Sequence, residues 1–186
     1  MIDTLRDFVD KMNDLGIDYM VTGSYAMSAY GEIRMTRDID VVVELRSTDI
    51  QPFFNSFTEE YYISDESMQR AIKNGSMFNI ISNKYGGKID CIIKKDNDYA
   101  DQSFERRYQV TMDDIDYWVI TKEDLIISKL NWAKNSLSEM QIRDIANLTS
   151  SEYNEGYVLE WIDKLGLEQI WQKVEEWKTL HRKIEN

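Results

Sequence analysis

The chain has 186 residues, with 22 Lys and Arg against 34 Asp and Glu, a formal charge of −12. That balance excludes a protein whose whole surface tracks a nucleic-acid backbone, because phosphate contacts need clustered Lys and Arg. Hydrophobic residues at 42% and aromatics at 12% suffice for a sizeable core and exclude global disorder. One cysteine, Cys91, and one histidine, His181, leave no internal disulfide framework and no His/Cys zinc site. His181 stands near the end of the chain amid Lys178, Arg182 and Lys183, so a His-based triad would need that tail to fold back into a site. Carboxylates, lysines, hydroxyls and backbone groups remain for chemistry, a donor set that suits hard cations such as Mg²⁺. No apolar run approaches the roughly 18–20 residues of a membrane span. The first residues also lack the basic start and apolar stretch of a signal peptide. A cytoplasmic, bacterial-type protein without a membrane partner is the expectation.

In chain order, Ile2, Leu5, Phe8, Val9, Met12 and Leu15 recur at helical spacing and Gly16 ends the helix. Residues 18–22 read as a strand that runs into Gly23-Ser24, followed by a short helix over 25–30 closed by Gly31. Residues 37–45, rich in valine, read as a second strand. Helical patterns over 48–58 and 65–73 lead to strands at 77–82 and 88–94, which Gly86-Gly87 joins as a hairpin. Two short strands follow within 106–120. The period then changes: Thr121 with Asp124 marks a capped helix start, and helices are predicted over 122–135, 138–149, 155–165 and 167–183. The fold class is α/β (α+β), a mixed sheet flanked by helices over 1–120, then a helical region, 121–186, expected to pack on that core.

Asp38 and Asp40 lie two apart on a strand and so project from one face, with Ile39 and Val41 on the other. Two such carboxylates repel unless a cation sits between them. The pair marks either a metal site or a solvent-facing strand edge. Gly23-Ser24, between a strand and a helix, is either a phosphate cradle of free amides with the Ser24 hydroxyl, or a routine turn and cap. Thirteen residues, 25–37, separate Ser24 from Asp38, enough for a short helix to cross back and lay the second strand beside the first. Asp90 interrupts an apolar strand and needs a partner, because burying an unpaired charge is costly. That partner is a nearby lysine, Lys88 or Lys94, or the same metal site as Asp38 and Asp40. Three carboxylates would hold one or two Mg²⁺ ions and bridge a triphosphate, with Asp90 suited to act as base toward an acceptor hydroxyl. Arg37 contacts phosphate or pairs with Glu32 or Glu44. Arg70, Lys73, Lys84, Lys88, Lys94 and Lys95 form a positive island in an acidic chain, either a solvated face or a binding patch.

The run Gly23-Ser24, thirteen residues, Asp38-Ile39-Asp40-Val41, with Asp90 on a later strand, resembles the signature of the DNA polymerase β-type nucleotidyltransferase superfamily. Residues 120–129 and 141–148 resemble more particularly the abortive-infection (AbiEii-like) toxin and minimal nucleotidyltransferase families. The resemblance spans about residues 15–150. It implies a nucleotidyltransferase-like sheet and transfer of a nucleoside monophosphate from an NTP co-substrate to a hydroxyl acceptor in RNA, protein or a small molecule, with Mg²⁺ as cofactor. Asp38, Asp40 and Asp90 would be catalytic and metal-binding; Lys129 would contact nucleotide phosphates and Asp144 would assist, with Arg143 beside it. Read from the residues alone, Lys129 is a snorkelling lysine or a phosphate ligand, and Asp144 pairs with Arg143 or Lys134. Where relatives often carry a second Asp after Asp144, this chain reads Ile-Ala-Asn-Leu-Thr. The competing class is a catalytically inactive copy of the fold that binds a protein partner through its C-terminal helices.

Overall fold

The computed structural model describes residues 1–136 and 138–182. Its first compact unit comprises Met1–Ala29 and Ile33–Ile120, and its second comprises residues 30–32 and the chain from Thr121 onward. The first unit is a seven-stranded mixed sheet. Along the chain it runs α1 (Ile2–Leu15), β1 (Tyr19–Thr22), α2 (Gly23–Ala26), a 3₁₀ turn (Met27–Tyr30), β2 (Asp38–Val43), α3 (Ile50–Phe57) and β3 (Tyr61–Ile63). It continues with α4 (Asp65–Asn74), β4 (Met77–Ser82), β5 (Lys88–Ile93), α5 (Asp98–Glu105), β6 (Tyr108–Met112) and β7 (Ile115–Val119). Across the sheet the order is β3-β4-β5-β2-β1-β7-β6. The pairs β2–β5 and β1–β7 are parallel and the rest antiparallel.

Each strand's alternation decides what faces the core. In β2, Ile39, Val41 and Val43 are fully buried while Asp38, Asp40 and Val42 are half-buried on the opposite face. The buried side meets the apolar stripe of α1, whose Leu5, Phe8, Val9 and Met12 are almost entirely enclosed. There the Phe8 ring stands edge-on to Tyr19 at 5.9 Å and lies 5.7 Å from Phe57. Phe57 in turn meets Phe53 at 4.6 Å and Tyr61 at 5.2 Å. Aromatic pairs at such separations add to the area they bury. Tyr61 completes the cluster by donating its hydroxyl to Asp7 at 2.6 Å, and burial together with that carboxylate pushes its pKa up.

Most predicted elements appear, with three differences. The helix expected over 25–30 starts at Gly23 and divides into α2 and the 3₁₀ turn. Strand β3 is a three-residue edge strand, and α5 is an amphipathic helix capped by Asn97, which accepts the Ala100 amide at 3.0 Å. Neither was expected. Three members of the positive island are drawn into separate ion pairs: Arg70 with Glu66, Lys94 with Glu44 and Asp101, and Lys88 with Asp38 and Asp90.

The second unit holds α6 (Lys122–Ser136), α7 (Glu139–Leu148), α8 (Glu155–Leu165) and α9 (Glu168–Arg182). The expected last residue of the final helix, Lys183, lies outside the described residues. Thr121 opens α6 as predicted: its Oγ1 accepts the Asp124 amide at 3.3 Å and donates to the Asp124 carboxylate. Asp124 is fully buried, and its other oxygen accepts the Tyr157 hydroxyl of α8 at 2.8 Å. The core of this unit is Leu125, Ile126, Leu130, Ile145, Val158, Leu167 and Val174. Among the described residues no helix is long and apolar enough to cross a membrane.

Candidate functional site

The strand register gathers the predicted carboxylates. Asp40 is the Cα partner of Thr22 on β1 and of Asp90 on β5, and Asp90 is in turn the partner of Asn79 on β4. Paired residues on neighbouring strands share a face. Thr22, Asp40, Asp90 and Asn79 therefore form one rung across four strands, on the face away from α1. The neighbouring rung pairs Asp38 with Lys88. Asp38, Asp40 and Asp90 thus stand on one face, as the two-residue spacing required.

Gly23 closes the site from the other side. Its φ is +64°, a left-handed backbone that side chains disfavour. A Cβ placed there would lie 2.6 Å from Cγ and 2.8 Å from Cβ of Asp40. The first turn of α2 therefore lies directly against the Asp40 carboxylate, and only glycine allows that approach. Ser24, next along, accepts a hydrogen bond from the Arg34 guanidinium. The loop that delivers Arg34 alternates like a strand. Arg34 and Thr36 turn inward, while Ile33 at 87% exposure and Met35 at 93% face solvent. Thr36 Oγ1 lies 3.2 Å from both the backbone oxygen and Oδ1 of Asp38, holding that carboxylate in place.

Lys88 settles the electrostatics. Its ammonium lies 2.8 Å from Asp90 Oδ2 and 3.2 Å from Asp38 Oδ2. The hydrogen bond to Asp90, then that to Asp38, raises the lysine pKa above its ordinary value against the opposing cost of burial. Asp90 is only 6% exposed, and its Oδ1 finds no hydrogen-bond partner among the described residues. Thr22 Oγ1, on the same rung beyond Asp40, is likewise buried without one. The donor chemistry fits a hard cation: three carboxylates and a hydroxyl on one face, two of whose oxygens lack partners. As the side chains stand, no group of three or more His, Cys, Asp and Glu among the described residues is arranged to hold a metal ion. The ammonium of Lys88 lies between Asp38 and Asp90 and meets one oxygen of each. For Asp90 the lysine partner expected as one alternative is what the geometry provides.

The other predicted residues fall elsewhere. Arg37 is exposed beside Asp38, and Glu44, one of its candidate partners, is held by Lys94 at 3.2 Å. Lys129 and Asp144 are brought together inside the helical unit, 2.9 Å apart and 3% and 1% exposed. Gln141 Oε1 accepts a further bond from the same ammonium at 3.2 Å. Lys129 is therefore a buried ion-pair lysine and does not snorkel to water, and Asp144 pairs with it. Cys91 is plain core, its thiol pushed up by burial. Sequence reading missed Arg34, Thr36 and Thr22. Arg34 carried no period that would have shown it turning inward.

The chain matches no protein-family model and no curated protein. Solved structures do resemble it. A lincosamide antibiotic adenylyltransferase, LnuA, in a lincomycin-bound structure, superposes with a TM-score of 0.57 at 17% identity, over 81% of this chain and 97% of that one. A nucleotidyltransferase candidate from Thermotoga maritima gives 0.54 at 16% identity, over 75% and 88%. An antigenic nucleotidyltransferase-like protein from Paracoccidioides brasiliensis gives 0.51 at 18% identity, over 78% and 73%. At such identities the likeness establishes architecture: this is the nucleotidyltransferase-like α/β fold.

Proposed function

We propose that the protein is a metal-dependent nucleotidyltransferase that moves a nucleoside monophosphate from an NTP to an acceptor hydroxyl and releases pyrophosphate. The observation that carries this reading is the contact of Gly23 with Asp40, on the rung where Asp40 and Asp90 pair and beside Asp38. It joins the backbone turn at Gly23 to a cluster of oxygen donors, and a routine turn has no need of that approach. Asp38 and Asp40, with Asp90, would hold Mg²⁺, which when bound would neutralise and polarise the triphosphate. Ser24, the backbone of the Gly23 turn and the guanidinium groups of Arg34 and Arg37 bind and orient the phosphates. Asp90, enclosed and with one unpartnered oxygen, accepts the proton of the acceptor hydroxyl. The acidic chain favours a small cationic, hydroxyl-bearing acceptor over a long RNA, as a repelled polyanion gains least from such a surface. A toxin acting on RNA or protein is the other arm of the test.

A second reading has one observation in its favour. Lys88 is bonded to two of the three carboxylates that a metal would need, as it would be in a copy of the fold that had given up catalysis for partner binding. One experiment separates the two. Each α-labelled NTP is incubated with the protein, Mg²⁺ and a lysate fractionated into small molecules, RNA and protein. The enzyme reading expects label in one fraction, dependent on Mg²⁺, and none with the double variant Asp38→Asn, Asp40→Asn. It also expects Mg²⁺ with NTP to raise the melting temperature by mass action, a gain the double variant loses. No labelled product with any NTP, together with no Mg²⁺-dependent nucleotide binding, would leave the partner-binding reading.

A further inference from the structure

We infer that Lys88 is the built-in cation of the carboxylate site. It holds Asp38 and Asp90 before any nucleotide arrives and keeps free divalent ions out until a triphosphate draws its ammonium away. The second half of this inference rests on the nucleotidyltransferase reading; the first stands without it.

Backbone register fixes the reach of this lysine. Lys88 is the direct partner of Asp38 on the neighbouring strand and lies two residues before Asp90 on its own, so all three side chains leave the same face. The ammonium meets one oxygen of each carboxylate, at 3.2 and 2.8 Å. Asp90 is enclosed, and a buried carboxylate without a counter-charge is costly. Asp40 adds a third negative charge on the adjoining rung. The three carboxylates together offer a divalent ion the oxygen donors it prefers. Yet that ion would have to share Asp38 and Asp90 with a cation already bonded to both, and like charges at such separations repel.

A triphosphate changes the balance. Its oxygens offer Lys88 a new set of acceptors while bringing negative charge of their own. The ammonium then transfers from carboxylate to phosphate, where it becomes a nucleotide ligand. Asp38 and Asp90 are released together, the latter with both oxygens available. The geometry therefore predicts an order of binding: the site takes a divalent ion with the nucleotide and not ahead of it. A lysine that served only as a strut between two strands would, when removed, lower the melting temperature by an amount that Mn²⁺ does not recover.

The test is calorimetric titration of the nucleotide-free protein with Mn²⁺, paired with melting curves. Wild-type protein is expected to bind Mn²⁺ weakly, and Lys88→Met about tenfold or more tightly, the scale expected when one competing like charge leaves a partly solvated site. Lys88→Met is also expected to melt lower than wild type, with Mn²⁺ restoring the loss and NaCl of equal ionic strength failing to. Lys88→Arg keeps the charge and should behave as wild type toward Mn²⁺. Lys88→Gln keeps donors without charge, and it takes the place of Lys88→Met should the latter not fold. Unchanged or weaker Mn²⁺ binding in the neutral variants, or a melting loss that Mn²⁺ does not recover, overturns the inference. Failure of the nucleotidyltransferase reading looks different: neither protein binds Mg²⁺ with NTP, while the Mn²⁺ contrast between wild type and Lys88→Met persists.

Discussion

Gly23 is the residue on which the site turns. Two separate constraints act there: a left-handed φ of +64°, and an Asp40 side chain that a Cβ would meet at 2.6–2.8 Å. Gly16 has nearly the same φ, +62°, and open space around it, so it isolates the first constraint from the second. Gly16→Ala should cost about 1 kcal/mol, the ordinary penalty for a side chain in that conformation. Gly23→Ala should cost more, about 2–4 kcal/mol, because overpacking against a strand carboxylate adds to the backbone strain. Urea denaturation of both variants checks the difference. The same samples should show Gly16→Ala keeping any Mg²⁺-dependent nucleotide stabilisation and Gly23→Ala losing it. Equal costs would mean that α2 simply shifts away from Asp40. The importance of Gly23 could be read from its place between a strand and a helix. Its contact with Asp40 could not, since nothing in a one-dimensional spacing says which carboxylate a turn will touch. Lys88 illustrates the opposite case. Close to Asp90 along the chain, it was legible as one candidate partner beside Lys94, but its simultaneous hold on Asp38 depended on which strands pair.

Among elements, the strands that carry the site were legible because charged residues alternate with apolar ones where each begins, Asp38 and Asp40 in β2 and Lys88 and Asp90 in β5, before each runs on in apolar residues. The edge strand β3 spans only three residues, too few for a period, and α5 is largely polar, its helical form resting on the Asn97 cap and the enclosure of Phe104. Between α6 and α7 the sequence suggested Arg143 or Lys134 as the partner of Asp144, whereas helix packing brought in Lys129 from fifteen residues away. That pair is deeply buried, so its two halves are unequal to the whole. Lys129→Met takes the paired ammonium from a deeply buried carboxylate and should cost about 3–5 kcal/mol. Lys129→Met combined with Asp144→Leu removes both charges and should recover most of that loss, because apolar replacements of a buried pair are often close to neutral. Thermal and urea unfolding of the two singles and the double complete the cycle. A double variant no more stable than Lys129→Met would show that the helices need the ion pair itself, for instance to fix the register of α7 on α6.

At the scale of the whole molecule, if the protein takes a nucleotide as proposed, the charge of −12 would oppose the approach of a triphosphate, whereas Arg34, Arg37 and Lys88 would favour its capture. Which effect governs encounter depends on how far the field reaches. At about 0.01 M salt the screening length is near 30 Å, about the width of a small domain, so an approaching nucleotide feels the summed negative charge. At about 0.15 M it falls to roughly 8 Å, and only the groups around the Gly23 turn still act. The association rate of a fluorescent ATP analogue, at fixed Mg²⁺, should therefore rise as NaCl increases between those limits, opposite to the behaviour of an electrostatically steered enzyme. The dissociation rate should respond instead to the local cations, increasing in Arg34→Ala at every salt concentration. Stopped-flow mixing separates the two rates. An association rate that falls steadily with salt would mean that the cations near Ser24 and Asp38 dominate the approach as well as the grip. The acidic surface would then count for nothing in nucleotide capture, and the argument for a cationic acceptor would lose its footing too.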